Sequence, residues 1–463
     1  MRRGATAFLM SRWLSVAVSL AAACGVVAVR VGDPVALTVA WASIAFALGM
    51  VIMRDPIYGL YAMLLALPLE VAGQLTPGAS QMITLYHVTL VLTLIAWGVH
   101  RLRGTETAPF RFSLLHAGLL ALVGAAVWSL PFSQNPSATG VATIRLAFLF
   151  LFFSVFEHFA REERTMRRVL AVLTGTAAVF GAVALLQFLF PSLNPGDTHP
   201  LLIGGHVLGR PAAFFVDPNY LAGFLSVGAV VALGRSLHAR TLREAAPWLL
   251  GAFVSAAGLV ATLSRTGWVG VVLGAVICAV TAPRTRRPRA VAVLLVAAVL
   301  VVVFAPGIVL ERLRSIGDVQ EDPSISTRVA MLASTVEIIR DHPIFGTGLA
   351  AFDEVYPAYR DPDTLVVFRP HEIPLALPAE MGIMGLLAEA LIVAGVIQVF
   401  VQRRRRAWTA WESAALSGLA CLALQSLFQY YLYFEYLWLM PALFLAADRM
   451  SQGVGSDTPV EAK

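Results

Sequence analysis

Two arginines, Arg210 and Arg265, stand directly beside long apolar runs, in the segments HVLGRPAAFF and TLSRTGW. A guanidinium at a hydrophobic boundary is costly unless it reaches lipid headgroups or binds an anion. Arginine suits phosphate because its planar fork donates two parallel hydrogen bonds and always keeps its charge. For either arginine alone, contact with lipid headgroups is the alternative. The pair favours a site for a diphosphate group carried on a lipid.

His371 is the candidate base if a hydroxyl group attacks beside that diphosphate. It lies in FRPHEIPLALPAEMG, between Arg369 and Glu372, where the chain becomes apolar again. Histidine accepts a proton near neutral pH. Glu372 is the competing candidate, since desolvation makes a carboxylate a stronger base. The alternative role for His371 is an interfacial hydrogen bond, and Arg369 is a third candidate ligand for the diphosphate.

Short polar side chains accompany both arginines. In VDPNYLAG, Asp217 and Asn219 stand at a helix start broken by proline, and each can hydrogen-bond Arg210. We expect Asn219 to satisfy the backbone groups that the break leaves free. In TLSRTGW, we expect Ser264 and Thr266 to cap helix ends. Asp217, Asn219 and Ser264 are therefore predicted to support the site.

The elements that position these residues are membrane-spanning helices. The chain has 463 residues, of which 58% are hydrophobic and only 13% are charged. Its apolar runs are long enough to cross a bilayer. This pattern predicts an all-α polytopic membrane protein with about 12 to 14 transmembrane helices. The candidate spans are 13–31, 34–53, 56–72, 82–100, 113–131, 138–158, 168–190, 212–234, 247–263, 266–282, 289–306, 373–400, 409–430 and 434–448.

The loop charges predict how the chain is oriented. Clusters such as REERTMRR, PRTRRPR and RRRR each follow an even number of predicted crossings. By the positive-inside rule, both termini are then cytoplasmic, and Arg210, Arg265 and His371 lie on the opposite side. The same rule accounts for the net charge of +6, so we do not expect a nucleic-acid partner. The cysteines lack metal-ligand spacing, and we predict no metal or other cofactor.

Four regions follow from the spans. Transmembrane helices are predicted over 1–306, a periplasmic loop domain over 307–372, further transmembrane helices over 373–448 and a flexible cytoplasmic tail over 449–463. Within the loop domain, ISTRVAMLASTVEIIRDHP has the apolar spacing of a helix.

Other polar residues in or near the spans are expected to do structural work. Arg145 lies inside a predicted span and needs a partner, for which Glu70 is the nearest acidic candidate. An aromatic and polar rim is predicted at the outer boundary, formed by Gln425, Tyr430, Tyr431, Tyr433 and Glu435.

Four segments, in order and spacing, resemble the O-antigen ligase and polymerase family of bacterial membrane glycosyltransferases. They are RPAAFFVDPNYLAGFL, ATLSRTGWVGV, STRVAMLASTVEIIRDHPIFGTGLAAF and PHEIPLALPAEMGIMGLL. The resemblance implies a GT-C fold and an inverting, metal-independent transferase whose donor is a glycan on undecaprenyl diphosphate. It also implies that Arg210 and Arg265 bind the diphosphate and that His371 activates the acceptor. Many relatives have the dipeptide HN where this chain has HE. This difference leaves open whether Glu372 shares or alters the role of His371.

Several functions remain open at this point. The leading expectation is ligation of a finished O-antigen to lipid A-core at the periplasmic face of the bacterial inner membrane. The alternative within the family is a polymerase that joins lipid-linked repeats of O-antigen or exopolysaccharide. A transporter of lipid-linked sugars is less favoured, because Arg145 is the only predicted deep charge and no internal repeat is seen. A peptidoglycan polymerase is also less favoured, because its motifs match less well.

Overall fold

A computed structural model describes residues 46–69, 84–194, 200–203, 206–288, 307, 323–360, 373–403 and 406–453. The chain forms two compact units, residues 1–109 and 110–463. The predicted spans 13–31 and 289–306 lie outside the described residues, as does Cys24.

The first unit contributes two packed helices, α1 (Ile57–Ala66) and α2 (Leu85–Leu102), after a helical stretch over residues 46–54. Gly59 of α1 lies against Thr93 of α2, where a β-carbon would come within 1.9 Å of the threonine hydroxyl. Small residues at such crossings let two helix backbones approach closely. The helix α1 is shorter than the predicted span 56–72.

The second unit contains eleven helices and a two-stranded hairpin within its described residues. The helices before the loop region are α3 (Leu114–Ser129), α4 (Pro136–Phe159), α5 (Glu163–Leu189), α6 (Pro218–Leu237), α7 (Leu242–Ala261) and α8 (Arg265–Thr281). Those after it are α9 (Pro323–Asp341), α10 (Phe352–Tyr359), α11 (Ile373–Arg403), α12 (Ala410–Gln425) and α13 (Glu435–Gly453). The antiparallel strands β1 (Pro200–Ile203) and β2 (His206–Gly209) precede α6, and the apolar pattern did not predict them.

Seven of the described helices are long and apolar enough to cross a membrane: α2, α3, α4, α5, α6, α7 and α11. The helices α1 and α8 are apolar but shorter. The predicted all-α polytopic membrane protein is therefore confirmed, with the small hairpin as an addition. Cys278 and Cys421 are buried and belong to an apolar core cluster.

The centre of the second unit is α6. It packs against α5, α7, α8 and α12, and 83% of its most apolar stretch is buried, against 50% or less in the other candidate spans. Nearby, α5 and α7 cross at Gly181 and Gly258, where a β-carbon on Gly258 would come within 2.4 Å of the Gly181 Cα. Because α6 is enclosed by its neighbours, its first turn has a fixed position.

The predicted loop helix is present as α9, and it packs against α10 and the beginning of α11. Met331, Phe352 and Ala379 belong to the buried cluster that joins these three helices. The helix α11 is broken at Gly382, whose backbone has φ 59° and ψ −150°. Only glycine adopts this conformation readily. A short buried segment therefore precedes the long part of α11.

Candidate active site

Arg210 lies between strand β2 and helix α6 in the chain, and its guanidinium donates hydrogen bonds to two acceptors. Its Nε donates to the Thr262 carbonyl oxygen at 2.9 Å, and its Nη2 donates to Asn219 Oδ1 at 2.9 Å. The side chain is partly buried. Because both hydrogen bonds lie in the plane of the guanidinium, they fix the direction in which its donor fork points.

Asn219 joins the first arginine to the turn before the second one. Ser264 donates from its Oγ to the same Asn219 Oδ1 at 2.9 Å, and Ser264 directly precedes Arg265. One amide oxygen therefore accepts from Arg210 and from Ser264. This differs from the expectation that Asn219 would satisfy free backbone groups.

Asp217 has a local structural role. It is the N-cap residue of α6, and its Oδ1 accepts a hydrogen bond from the Asn219 backbone N–H at 2.6 Å. Pro218 occupies the first helical position, where its missing N–H costs nothing. Asp217 and Pro218 thus fix the start of α6, which presents the Asn219 side chain to Arg210.

Arg265 is the first residue of α8, after a turn that spans only residues 262–264. Leu263, in the middle of this turn, is buried and has a left-handed backbone with φ 55°. Trp268 donates from its Nε1 to the Leu259 carbonyl oxygen at 3.3 Å and so joins α8 back to α7. The short, strained turn holds the backbone of Arg265 between two packed helices.

Gly267 allows the start of α8 to lie close to its neighbours. A β-carbon at Gly267 would lie 2.8 Å from a Leu259 methyl group and 3.1 Å from the Ala222 β-carbon. A larger residue would therefore require the Leu259 side chain to move and would press α8 against Ala222 of α6.

The N-terminus of α8 is electropositive. Its first turn carries Arg265 and no acidic residue. The expectation that Ser264 caps this helix is wrong: Ser264 is at the N-cap position but gives its hydroxyl to Asn219. Thr266 Oγ1 lies 3.3 Å from Ser264 Oγ. A cation at a helix N-terminus is disfavoured by roughly 0.3–1 kcal/mol, whereas an anion is favoured. The arrangement thus favours an anionic ligand.

Non-glycine residues with positive φ occur at three positions in the described part of the chain, namely Ala213, Leu263 and Ala350. Each lies in one of the motif segments that the sequence singled out: RPAAFF, TLSRTGW and HPIFGTGLAAF. A left-handed conformation costs a residue with a β-carbon roughly 1–2 kcal/mol. Strain of this kind persists where the surrounding structure requires a particular backbone path, and functional sites are frequent examples.

A second set of buried contacts leads from Asn219 to α11. The Tyr431 hydroxyl donates to the Asn219 carbonyl oxygen at 2.7 Å, and the Tyr220 hydroxyl donates to the Tyr430 carbonyl oxygen at 2.7 Å. The Tyr430 hydroxyl donates to Glu380 Oε2 at 2.8 Å. Burial, and then the nearby Glu380 carboxylate, raise the pKa of Tyr430 well above its usual value, so this phenol remains a donor.

Glu380 is the residue of this region that the sequence interpretation missed. Its side chain is buried, and its Oε1 accepts from the Ala350 backbone N–H at 3.1 Å. Its backbone carbonyl accepts from the Gly348 N–H at 2.9 Å. Glu380 therefore joins the HPIFGTG turn to α11 and to Tyr430. The sequence feature that could have identified Glu380 is its position as a single carboxylate inside the apolar segment PLALPAEMG.

Tyr430 and Tyr431, two residues of the rim predicted at the outer boundary, have buried side chains, as does Gln425 at the end of α12. The two tyrosines lie in the loop that follows α12, and both side chains are enclosed by the protein. Tyr431 packs at 5.3 Å from the Tyr220 ring. These aromatic residues hold the beginning of α6 against the loop after α12.

Arg145 has an aromatic neighbour. Its guanidinium carbon lies 5.9 Å from the centre of the Tyr433 ring, within the range of a cation–π interaction. The acidic partner proposed from the sequence, Glu70, lies outside the described residues. A carboxylate is therefore not the only group that can accommodate this intramembrane cation.

The remaining predicted site residues, Arg369, His371 and Glu372, lie outside the described residues. The residue that follows them is described: the Ile373 backbone N–H donates to the Ser426 carbonyl oxygen at 3.1 Å. This contact anchors the beginning of α11 to the loop that carries Tyr430 and Tyr431.

Comparison with known proteins adds an independent finding. Residues 250–390 match the family model described as O-antigen ligase, a range that begins in α7 and ends in α11. It includes Arg265, the loop helices and Glu380. No curated protein matches the chain. The match supports a glycosyltransferase-type membrane enzyme of O-antigen assembly. The match confirms the resemblance over residues 250–390, a range that contains three of the four segments, whereas RPAAFFVDPNYLAGFL precedes it.

Proposed function

We propose that this protein is an inverting membrane glycosyltransferase that moves a glycan from undecaprenyl diphosphate to an acceptor hydroxyl. The observation that carries the proposal is the linkage of Arg210 and the Arg265 turn through one Asn219 oxygen. Together with the uncapped N-terminus of α8, the two arginines supply the donors that a diphosphate requires. The family match supports the glycosyl-transfer chemistry.

In the proposed reaction, the acceptor oxygen attacks C1 of the first sugar from the face opposite the diphosphate. The bond from C1 to the diphosphate oxygen breaks, and its electron pair leaves with the diphosphate. Arg210 and Arg265 stabilise the negative charge that grows there, an electrostatic role that needs no metal ion. Arg369 is the proposed third ligand of the diphosphate.

A base must take the proton of the acceptor hydroxyl. We assign this role to His371, since imidazole is a base near neutral pH and precedes the anchored start of α11. Glu372 is the competing base. The two assignments differ in the pH dependence of turnover, because a histidine base titrates near pH 6.5 and a carboxylate about two units lower.

The proposed reaction is ligation of O-antigen to lipid A-core at the periplasmic face of the inner membrane, within a GT-C fold. The deciding experiment is a deletion strain in which lipid-linked glycans are extracted and sized. Loss of a ligase leaves long glycans on undecaprenyl diphosphate and lipid A-core without O-antigen. Loss of a polymerase leaves single repeats on the carrier. That result would identify the protein as a polymerase and not a ligase. Unchanged glycans in both pools would contradict the proposed function.

A further inference from the structure

A cavity lies at the end of the second unit that is opposite Arg210 and Arg265. It has a volume of about 600 Å³ and is formed by the beginning of α3 and the ends of α11 and α13. The helices that line it run from this end toward the end where Arg210 and Arg265 lie, so the cavity is separate from the candidate active site. Its polar lining includes Arg111, Ser113, Gln398, Gln402, Arg449 and Gln452.

The charge around this cavity is positive. The buried Glu157 carboxylate accepts from Arg449 and, at 3.0 and 2.8 Å, from two nitrogens of Arg161. Arg111 is exposed and lines the cavity beside Arg449. Arg111 and Arg449 both line the cavity, and Glu157 compensates the charge of Arg449, so the charge of Arg111 remains as a positive excess at the cavity.

The other acidic residue of the cavity is already compensated. Asp448 accepts from Arg406 through one oxygen and from Gln452 at 2.6 Å through the other. It therefore does not cancel the excess charge of Arg111. Gln398 and Gln402, one turn apart on α11, add amide donors on the same wall.

The rest of the cavity is apolar and continues to the outer surface of the helices. Leu115, Gly395 and Leu445 form its apolar wall. On the same part of α11, Ile397 and Phe400 are exposed, at 53% and 46%. A soluble anion gains nothing from such a wall, whereas an acyl chain is stabilised by contact with it.

We infer that this cavity binds the headgroup of an anionic glycerophospholipid. The phosphodiester lies at Arg111 and Arg449, the glutamine amides hydrogen-bond its oxygens and glycerol hydroxyls, and an acyl chain follows the apolar surface of α11. Basic pockets between transmembrane helices are a recurring form of lipid recognition. This inference is independent of the proposed glycosyl transfer.

The experiment is a lipid titration of the purified full-length protein. The protein is delipidated in a neutral detergent and titrated with phosphatidylglycerol, phosphatidylcholine or inorganic phosphate, and bound lipid is counted by native mass spectrometry. We expect phosphatidylglycerol to bind at least about tenfold more tightly than phosphatidylcholine. Equal retention of the two lipids would overturn the inference. Displacement of the lipid by millimolar phosphate would show a soluble-anion site instead.

Two variants and one matched control locate the binding. Arg111→Glu reverses the charge of an exposed side chain, and Gln398→Glu adds a charge with almost no change of shape. Each should weaken phosphatidylglycerol binding by about tenfold. Arg240→Glu makes the same charge change at an exposed loop between α6 and α7 and should leave binding unchanged. Equal losses in Arg111→Glu and Arg240→Glu would assign the effect to overall charge and reject the site.

Discussion

At the scale of residues, the side-chain oxygen of Asn219 determines how Arg210 is presented. It accepts from Arg210 and from Ser264, so a neutral oxygen orients the guanidinium. A carboxylate at the same position would form an ion pair and compete with the diphosphate. An amide orients the arginine without adding a negative charge of its own.

Asn219→Asp tests this reasoning with a change of nearly constant shape. We expect the KM for the lipid-linked donor to rise by about tenfold, since the new carboxylate compensates the charge of Arg210. Turnover at saturating donor should fall much less. The measurement is transfer rate against donor concentration with purified protein. An unchanged KM would mean that Arg210 does not bind the donor.

Arg265→Lys separates charge from geometry. We expect transfer to fall by about a hundredfold, because one ammonium group cannot form the bidentate fork at the leaving diphosphate. Arg240→Lys, at an exposed loop, is the matched control and should keep full activity. Abundance in the membrane should be equal for both variants. If Arg265→Lys retained activity, Arg265 would act through its positive charge alone and not through bidentate hydrogen bonds.

His371→Ala and Glu372→Gln distinguish the two candidate bases. With His371 as base, His371→Ala should lower turnover by about a hundredfold and donor affinity by much less. The wild-type rate should then rise with pH through about pH 6.5, because only neutral imidazole accepts the proton. Glu372→Gln should keep this profile. A rate that already reaches its plateau near pH 5 would favour the carboxylate.

At the scale of elements, the site depends on backbone breaks between and within helices. The turn between α7 and α8 contains the left-handed Leu263, and α11 is interrupted at Gly382. These breaks place Arg265 at a helix N-terminus and put Glu380 against the turn that contains Ala350. Straight, continuous helices would not bring these groups to one end of the bundle.

Gly382→Ala should destabilise the protein. A β-carbon there would come within 2.2 Å of the Ile344 carbonyl oxygen, in a backbone conformation that essentially only glycine adopts. We expect a loss of about 3 kcal/mol or more and a lower melting temperature in detergent. Gly175→Ala is the control, because no atom lies within 4 Å of the position that the new β-carbon would take. At an exposed helix position, alanine is more favourable than glycine by up to about 1 kcal/mol. Equal melting temperatures for the two variants would contradict the structural role of Gly382.

At the scale of the whole molecule, apolar runs predicted most described helices to within a few residues. α7 ends at Ala261 and α8 begins at Arg265, as the segment TLSRTGW suggested. Hydropathy identifies such boundaries because the bilayer requires about 20 apolar residues for each crossing. It does not report pairing, so the contact of Glu380 with Tyr430 could not be predicted. These two residues are far apart in sequence, and only the packed helices bring them together.

The orientation proposed from loop charges is tested by labelling. In a protein whose cysteines are replaced by alanine, single cysteines are placed at two exposed loop positions, Gln134 and Arg240. We expect an impermeant maleimide to label Gln134→Cys in intact spheroplasts, and Arg240→Cys only after lysis, because the positive-inside rule predicts that the basic loops lie in the cytoplasm. The reverse pattern would place the arginine pair on the cytoplasmic side.

The shared oxygen of Asn219 also has a consequence for how the sequence can diverge. Because Arg210 and Ser264 donate to the same atom, a change at any one of the three positions leaves a donor or an acceptor unmatched. Single substitutions there are disadvantageous, and a paired substitution restores the match. In an alignment of relatives, these three positions should therefore covary as one group. Asp217, which caps α6, should vary independently among residues that cap helices.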